Sequence, residues 1–140
     1  MKIREAMSPD CLTCGPGDSI ATAGQLMARE NFGSVPVAED NRLVGMLTDR
    51  DIVIRGVANG CDATTMTVGE LMSDKLYYCY DDQDVEEVAD NMGDMQVRRL
   101  PVVDRNKKLV GIVSLGDLAT EGPRTNAAGD ALTDISRPAA

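Results

Sequence analysis

Apolar residues along the chain fall in short periodic runs, separated by clusters of Gly, Pro, Asn and Asp. Ile20, Ala23, Leu26 and Met27 recur at the spacing of one helix face, with Asp18 and Ser19 ahead of them as caps. Asn31-Phe32-Gly33 closes that helix, and Gly33 is expected as its left-handed cap. Two β-rich runs follow, Ser34 to Ala38 and Leu43 to Thr48, joined by the polar turn Glu39 to Arg42; together they predict a hairpin. Pro36 has no N–H, so it is expected where its strand begins or kinks. A second helix is predicted from Thr48-Asp49-Arg50-Asp51 onward, carrying Ile52, Val53, Val57 and Ala58. A short leading strand is predicted near Cys11 to Cys14.

The same order of elements then returns. A shift of 65 positions lays Glu5 on Glu70, Met7 on Met72, Ser8 on Ser73, Cys14 on Cys79, Met27 on Met92 and Pro36 on Pro101. One added residue in a turn makes the shift 66, and Leu43-Val44-Gly45 then falls on Leu109-Val110-Gly111, and Asp51 on Asp117. The chain is therefore an internal duplication of a β-α-β-β-α unit. Its second copy has a helix opening at Asp84 with Val85, Val88, Ala89 and Met92 inward. Strands at Arg99 to Val103 and Lys108 to Ser114 follow, then a shorter helix at Leu115 to Ala119. The expected organisation is an α/β (α+β) fold: repeat one at 1–59, a linker at 60–67, repeat two at 68–121 and a tail at 122–140. The repeats are expected to pack pseudo-symmetrically, sheet to sheet, because one such unit alone covers its sheet poorly. The tail is expected to dock loosely or fray, with a weak helix at Ala127 to Ile135.

Composition narrows the function. Fourteen Lys and Arg against twenty-three Asp and Glu give a net charge of −9, which repels nucleic acid and anionic lipid. The chain has no histidine, so Ser-His-Asp and Cys-His catalysis and His-ligated zinc are excluded. Aromatic residues make up only 3%, with Tyr77, Tyr78 and Tyr80 expected along the second leading strand. No apolar run is long enough to span a membrane and the N-terminal residues do not read as a signal peptide, so a cytoplasmic location is expected. Cys11 and Cys14 form a CxxC, which half-matches a zinc site or a redox pair. The reading preferred for Cys11, Cys14, Cys61 and Cys79 is small buried or half-buried hydrophobes.

Each hairpin's second strand delivers a hydroxyl and, three residues on, a carboxylate: Thr48 with Asp51, and Ser114 with Asp117. One reading is helix capping, although Asp is shorter than the usual Glu or Gln partner. The other is a ligand site, in which the hydroxyl meets a phosphate and the carboxylate accepts from ribose hydroxyls.

These pieces resemble a tandem pair of cystathionine-β-synthase (CBS) domains, a Bateman module. The matching residues are Met7-Ser8 and Met72-Ser73, Val35-Pro36-Val37 and Leu100-Pro101-Val102, the two Leu-Val-Gly runs and the two hydroxyl-Asp pairs. GMLTDRDIV at 45–53 and QVRRLPV at 96–102 resemble small stand-alone bacterial pairs of the hypoxic or stress-response type. The resemblance implies an adenosine ligand (AMP, ADP or ATP, with NAD or S-adenosylmethionine as variants) in two clefts between the repeats. It places Thr48 and Asp51, and Ser114 and Asp117, on the ribose and phosphate. It places the adenine between Cys11, Leu12, Phe32 and Gly33 in one cleft, and Lys75, Leu76, Val97 and Arg98 in the other. A basic residue often precedes the proline strand in this family; Arg98 and Arg99 match it, whereas the first copy has Gly33 and Ser34. Cys11 and Cys14 depart from the family pattern. The function so implied is a non-catalytic regulatory module with no required cofactor and no metal, acting in trans on a separate protein partner as a homodimer. The competing reading is a stress-related structural or dimerisation protein that binds no nucleotide.

Overall fold

Ser19 caps the first long helix as its sequence predicts: its hydroxyl accepts from the Thr22 N–H at 3.1 Å. In the computed structural model, which describes residues 1–121 and 127–137, the elements in chain order are α1 (Ile3–Ala6), α2 (Ile20–Glu30), β1 (Ser34–Glu39) and β2 (Arg42–Thr48). A short helix α3 (Asp49–Asp51) runs on as a π-turn at Ile52–Gly56 and a 3₁₀ turn at Val57–Asn59. Then come α4 (Val68–Leu71), β3 (Cys79–Tyr80), α5 (Val85–Met95), β4 (Arg99–Val103), β5 (Leu109–Ser114), α6 (Leu115–Glu121) and α7 (Ala127–Ile135). Helices and strands are mixed, with two small sheets, so the fold is α+β.

The chain forms two compact units, and they are not the two sequence repeats. One is Leu12–Leu76; the other joins Met1–Cys11 to Tyr77–Ala140. Each repeat's opening Met-Ser segment therefore lies in the unit that holds the other repeat's hairpin.

In the Leu12–Leu76 unit, β1 and β2 pair antiparallel, and Ile20, Ala23, Met27, Val35, Val37 and Leu47 make the core with Val68 and Leu71 of α4. Cys14 alone extends this sheet on the β1 side: its N–H donates to the Pro36 carbonyl (3.1 Å) and its carbonyl accepts from Ala38 (2.9 Å). Ser73 extends it on the β2 side, exchanging both backbone bonds with Met46 at 3.0 and 2.8 Å. Met46 faces Pro36, and because its polar groups point at Ser73, this is a pair with no hydrogen bonds between β1 and β2. Pro36 therefore lacks its N–H on the side of the leading segment, where only Cys14 pairs. The proline sits buried in mid-strand rather than at its start, and the register shifts one residue later, between Val37 and Ala38.

The other unit repeats this plan. Parallel β3 and antiparallel β5 flank β4, Pro101 faces Ile112, and the shift falls between Val102 and Val103. Ser8 exchanges 2.9 and 3.0 Å bonds with Ile112, as Ser73 does with Met46. Val85, Val88, Ala89 and Met92 of α5 pack on Leu100, Val102 and Val113, as their spacing predicts. The two Met-Ser segments are preceded by single helical turns that the periodicity does not reveal. Glu5 and Glu70 cap these by accepting from the N–H groups of Lys2 (2.7 Å) and Thr67 (2.8 Å).

Several expectations need correction. The left-handed residue that ends α2 is Asn31 (φ 58°), one of the residue types that tolerate this conformation without a glycine. Gly33 serves differently: Asp49 N–H donates to its carbonyl, and a Cβ there would lie 3.4 Å from the Asp49 carboxylate. The leading strands shrink to the Cys14 bridge and to Cys79–Tyr80. The helix expected at 127–135 is present with those bounds, and it is packed rather than loosely docked. Ala131 is only 2% exposed, and Ala127, Ala128 and Ile135 pack on the core shared with α5. Residues 122–126 and 138–140 of that tail lie outside the described residues.

Both Leu-Val-Gly runs are explained by close approach. A Cβ on Gly111 would lie 2.6 Å from the Ser8 carbonyl oxygen and 2.8 Å from the Met7 sulfur. On Gly45 it would lie 2.9 Å from the Ser73 carbonyl oxygen and 2.6 Å from the Met72 sulfur. Neither backbone oxygen can move without losing its bridge. Gly111→Ala and Gly45→Ala are each expected to destabilise the fold by about 1–3 kcal/mol, read from urea midpoints. Gly17→Ala, where a Cβ meets nothing within 4 Å, is the control expected to show no such loss.

Candidate functional site

The antiparallel hairpins end where Ser34 faces Thr48 and Arg99 faces Ser114, and both hydroxyl-Asp pairs lie at these ends. Each pair closes a reciprocal capping box. Asp51 N–H donates to the Thr48 hydroxyl (3.0 Å), and Thr48 N–H to the Asp51 carboxylate (3.0 Å). Asp117 N–H likewise donates to the Ser114 hydroxyl (3.0 Å), and Ser114 N–H to the Asp117 carboxylate (2.8 Å). Asp is therefore long enough for this box, contrary to the length argument made from sequence, because strand and helix meet at a tight corner. Each box engages a single carboxylate oxygen, Oδ2, and each hydroxyl keeps its own proton to donate. In the first copy, Asp51 Oδ1 also lies 3.9 Å from Arg55 Nε, and the Arg55 guanidinium donates to the Leu71 carbonyl at 3.1 Å. The boxes fix where the Asp carboxylates stand, half-buried, at the mouth of each corner.

The second repeat has a cavity at its corner. A hollow of about 510 Å³ is lined on one side by Arg98, Arg99 and Ser114, and by Leu115 and Gly116 at the start of α6. Ala128, Gly129 and Leu132 of α7 line it too. The Arg98 carbonyl accepts from the Leu115 N–H at 2.9 Å, which ties the basic pair to the corner. The volume lies within the range of small-molecule sites, and the lining sets two guanidiniums and a hydroxyl against an aliphatic surface. That combination suits an anion carrying an apolar or planar portion.

The remaining sequence-chosen residues distribute as follows. Gly33, Ser34, Thr48 and Asp51 gather at the first corner, while Phe32 follows the α2 cap, its N–H donating to the Met27 carbonyl. Leu12 is exposed at the start of the same unit, and Cys11 belongs to the other. Val97 packs on the α5 core beside Arg98, and exposed Lys75 belongs to the Leu12–Leu76 unit. The residues missed from sequence are those of α7; their only signal was a short Ala-rich amphipathic run.

All four cysteines are free. Burial pushes the Cys11 thiol up to about 11 and, with Asp81 nearby, the Cys79 thiol up to about 12; Cys14 is raised by burial and by Asp18. A thiol held protonated at neutral pH is a poor nucleophile and a poor metal ligand. Among the described residues no three His, Cys, Asp or Glu side chains gather as a metal-holding group.

Comparison with known proteins agrees with the duplicated architecture. The family model described as CBS domain matches twice, over residues 3–56 and 68–123. The CBS domain-containing protein YhcV of Bacillus subtilis is 43% identical over 134 residues, covering 96% of this chain and 94% of its own. A crystal structure of Hypoxic Response Protein I with two coordinated zinc ions superposes with TM-score 0.80 at 39% identity, over 88% of this chain and all of the other. The CBS domain pair of protein MJ0100, in complex with 5′-methylthioadenosine and S-adenosyl-L-methionine, superposes with TM-score 0.73 at 26% identity, over 85% and 93%. Two matched repeats, two hairpin sheets and near full-length relatives make this chain a member of the CBS-domain family, built as a tandem pair.

Proposed function

We propose that this chain is a non-catalytic adenine-nucleotide sensor, and that its stronger ligand site is the corner formed by Arg98, Arg99, Ser114 and Asp117. CBS pairs are regulatory modules, and the MJ0100 pair carries adenosine compounds in its crystal structure. The observation that carries the reading is the cavity of about 510 Å³ with its basic and hydroxyl side against an aliphatic one. The guanidiniums meet a phosphate, the Ser114 hydroxyl donates to it, and Asp117 accepts from ribose. Thr48 and Asp51, with Leu12, Phe32, Gly33 and Ser34, form the weaker counterpart. That corner has no basic pair before its proline strand, and Asp51 is already drawn toward Arg55. AMP, ADP and ATP are the first ligands to try, then NAD and S-adenosylmethionine.

Output is by differential affinity: a ligand that favours one conformation changes the affinity of a separate protein partner. The module works in the cytoplasm, where free thiols persist and adenine nucleotides abound. The reciprocal boxes in both corners favour a second reading, in which the hydroxyl-Asp pairs serve folding alone and the module is a stress-related scaffold.

Calorimetry with AMP separates the readings. Asp117→Ala and Arg99→Ala are each expected to weaken the stronger binding event roughly tenfold or more, the equivalent of one charge-assisted hydrogen bond. Asp51→Ala removes the same kind of capping box and is expected to leave that event nearly intact. If parent and variants alike take up no adenosine compound, the scaffold reading holds.

We also infer self-association. Ile20, Met27, Val85 and Met92 are buried inside their own units, and Ile52 packs on its core, so these do not form a free stripe. The π-turn and the 3₁₀ turn after it instead expose Val53 (53%), Ile54 (52%) and Val57 (62%). Light scattering is expected to return twice the 15.0 kDa of one chain, and Val57→Glu to shift it toward the monomer.

A further inference from the structure

α7 is held in place by Gly93 and Gln96 at the C-terminal end of α5. Gly93 lets it come close: a Cβ there would lie 3.2 Å from the Ala131 Cα and 3.1 Å from the Asp134 carboxylate. The Gln96 amide, at the left-handed end of α5, donates to the Asp134 carbonyl at 3.0 Å and the Arg137 carbonyl at 3.4 Å. Carbonyls at a helix end need partners, and here a side chain from the preceding helix supplies them. The docked helix buries Ala131 and turns Gly129 and Leu132 toward the cavity; Leu132 stays 46% exposed, although it is large and apolar.

We propose that α7 is a working wall of the Arg98–Arg99–Ser114 site, with Gly129 and Leu132 taking the planar, apolar portion of a phosphorylated ligand. This rests on the adenine-nucleotide reading above and extends it to a part of the chain outside the hairpin corner. Two observations support it. The cavity has ligand-sized volume with α7 docked, so the helix leaves the site open rather than filling it. Gly129, in the first turn of α7, lines the hollow, and Leu132, large, apolar and 46% exposed, lines it one turn on. A Cβ at Gly129 would meet nothing within 4 Å, so a side chain added there enters open space beside the hollow. Because the ligand touches α7 only when it is docked, binding and docking reinforce each other, each by the same factor.

The test uses the full chain, AMP as probe, and two readouts. Gly129→Phe places a ring in the hollow without an obstructing neighbour and raises helix propensity, so the variant is expected to fold. It is expected to lose roughly tenfold or more in AMP affinity at the stronger site. In the parent, AMP is expected to slow amide exchange across residues 127–135 as well as at the hairpin corner. A parent that binds AMP, with Gly129→Phe binding equally well and exchange at 127–135 unchanged, overturns the role of α7 alone. A parent that binds no adenine nucleotide overturns this proposal together with the function it rests on. Ala131→Asp undocks α7 from α5 without altering a cavity-lining residue. Weakened AMP binding in that variant supports the linkage, and undiminished binding by a folded protein refutes it.

Discussion

A carbonyl oxygen laid against a glycine is the contact on which the architecture turns. Ser8 and Ser73 each exchange two backbone hydrogen bonds with the middle of a hairpin strand, beside Gly111 and Gly45. A side chain at either glycine would push the added strand away and leave Ile112 or Met46 with two unpaired polar groups. Such groups are costly where water is excluded, so glycine and bridge stand or fall together. The helical turn ahead of each serine then drops Ile3 and Ala6, or Val68 and Leu71, into the core beneath the sheet. A short edge segment thereby becomes part of the hydrophobic centre.

The prolines belong to the same arrangement. Because the Met-Ser segment takes the outward groups of Met46 and Ile112, the opposite residues Pro36 and Pro101 face away from their hairpin partners. Their missing donors fall toward the leading segments, where pairing is minimal. A proline elsewhere in these strands would delete a ladder bond. The hydroxyl-Asp corners follow directly, since the strand that carries Gly45 or Gly111 runs on into Thr48 or Ser114. Capping then fixes the carboxylates at the corners, so a residue that stabilises the helix start also stands ready for a ligand. The box takes one oxygen of each carboxylate, Oδ2, and leaves Oδ1 outside it.

Much of this was legible in the chain itself. The duplication, the hairpins, α2 and α5 all follow from period and turn chemistry, because those elements are decided by local sequence. What stayed hidden depends on residues far apart in sequence. Gly33 looked like a helix cap, but Asn31 takes the left-handed turn, and Gly33 offers its carbonyl to the Asp49 N–H. The second helix of the first repeat passes into a π-turn and then a 3₁₀ turn, where Val53 and Val57 face outward; a pattern read at 3.6 residues per turn has no mark for that change of pitch. α7 has a weak helical signature and is defined by Gly93 and Gln96, which show their purpose only once α5 and α7 lie side by side. The basic pair Arg98–Arg99 was identified from the sequence, whereas the wall opposite it was not.

Since each repeat lends its opening segment to the hairpin of the other, a single repeat is not a self-sufficient folding unit. Cut free at residues 60–67, it would keep an uncovered strand edge and a core lacking Ile3 and Ala6, or Val68 and Leu71. One partner able to fill both vacancies is another copy of the same repeat, offering its own Met-Ser segment in return. The duplicated chain therefore has the form of an exchanged dimer whose two halves have been joined covalently. Duplication then frees the halves to diverge: once the exchange is fixed within one polypeptide, Arg98 and Arg99 can arise in one corner while Gly33 and Ser34 remain in the other.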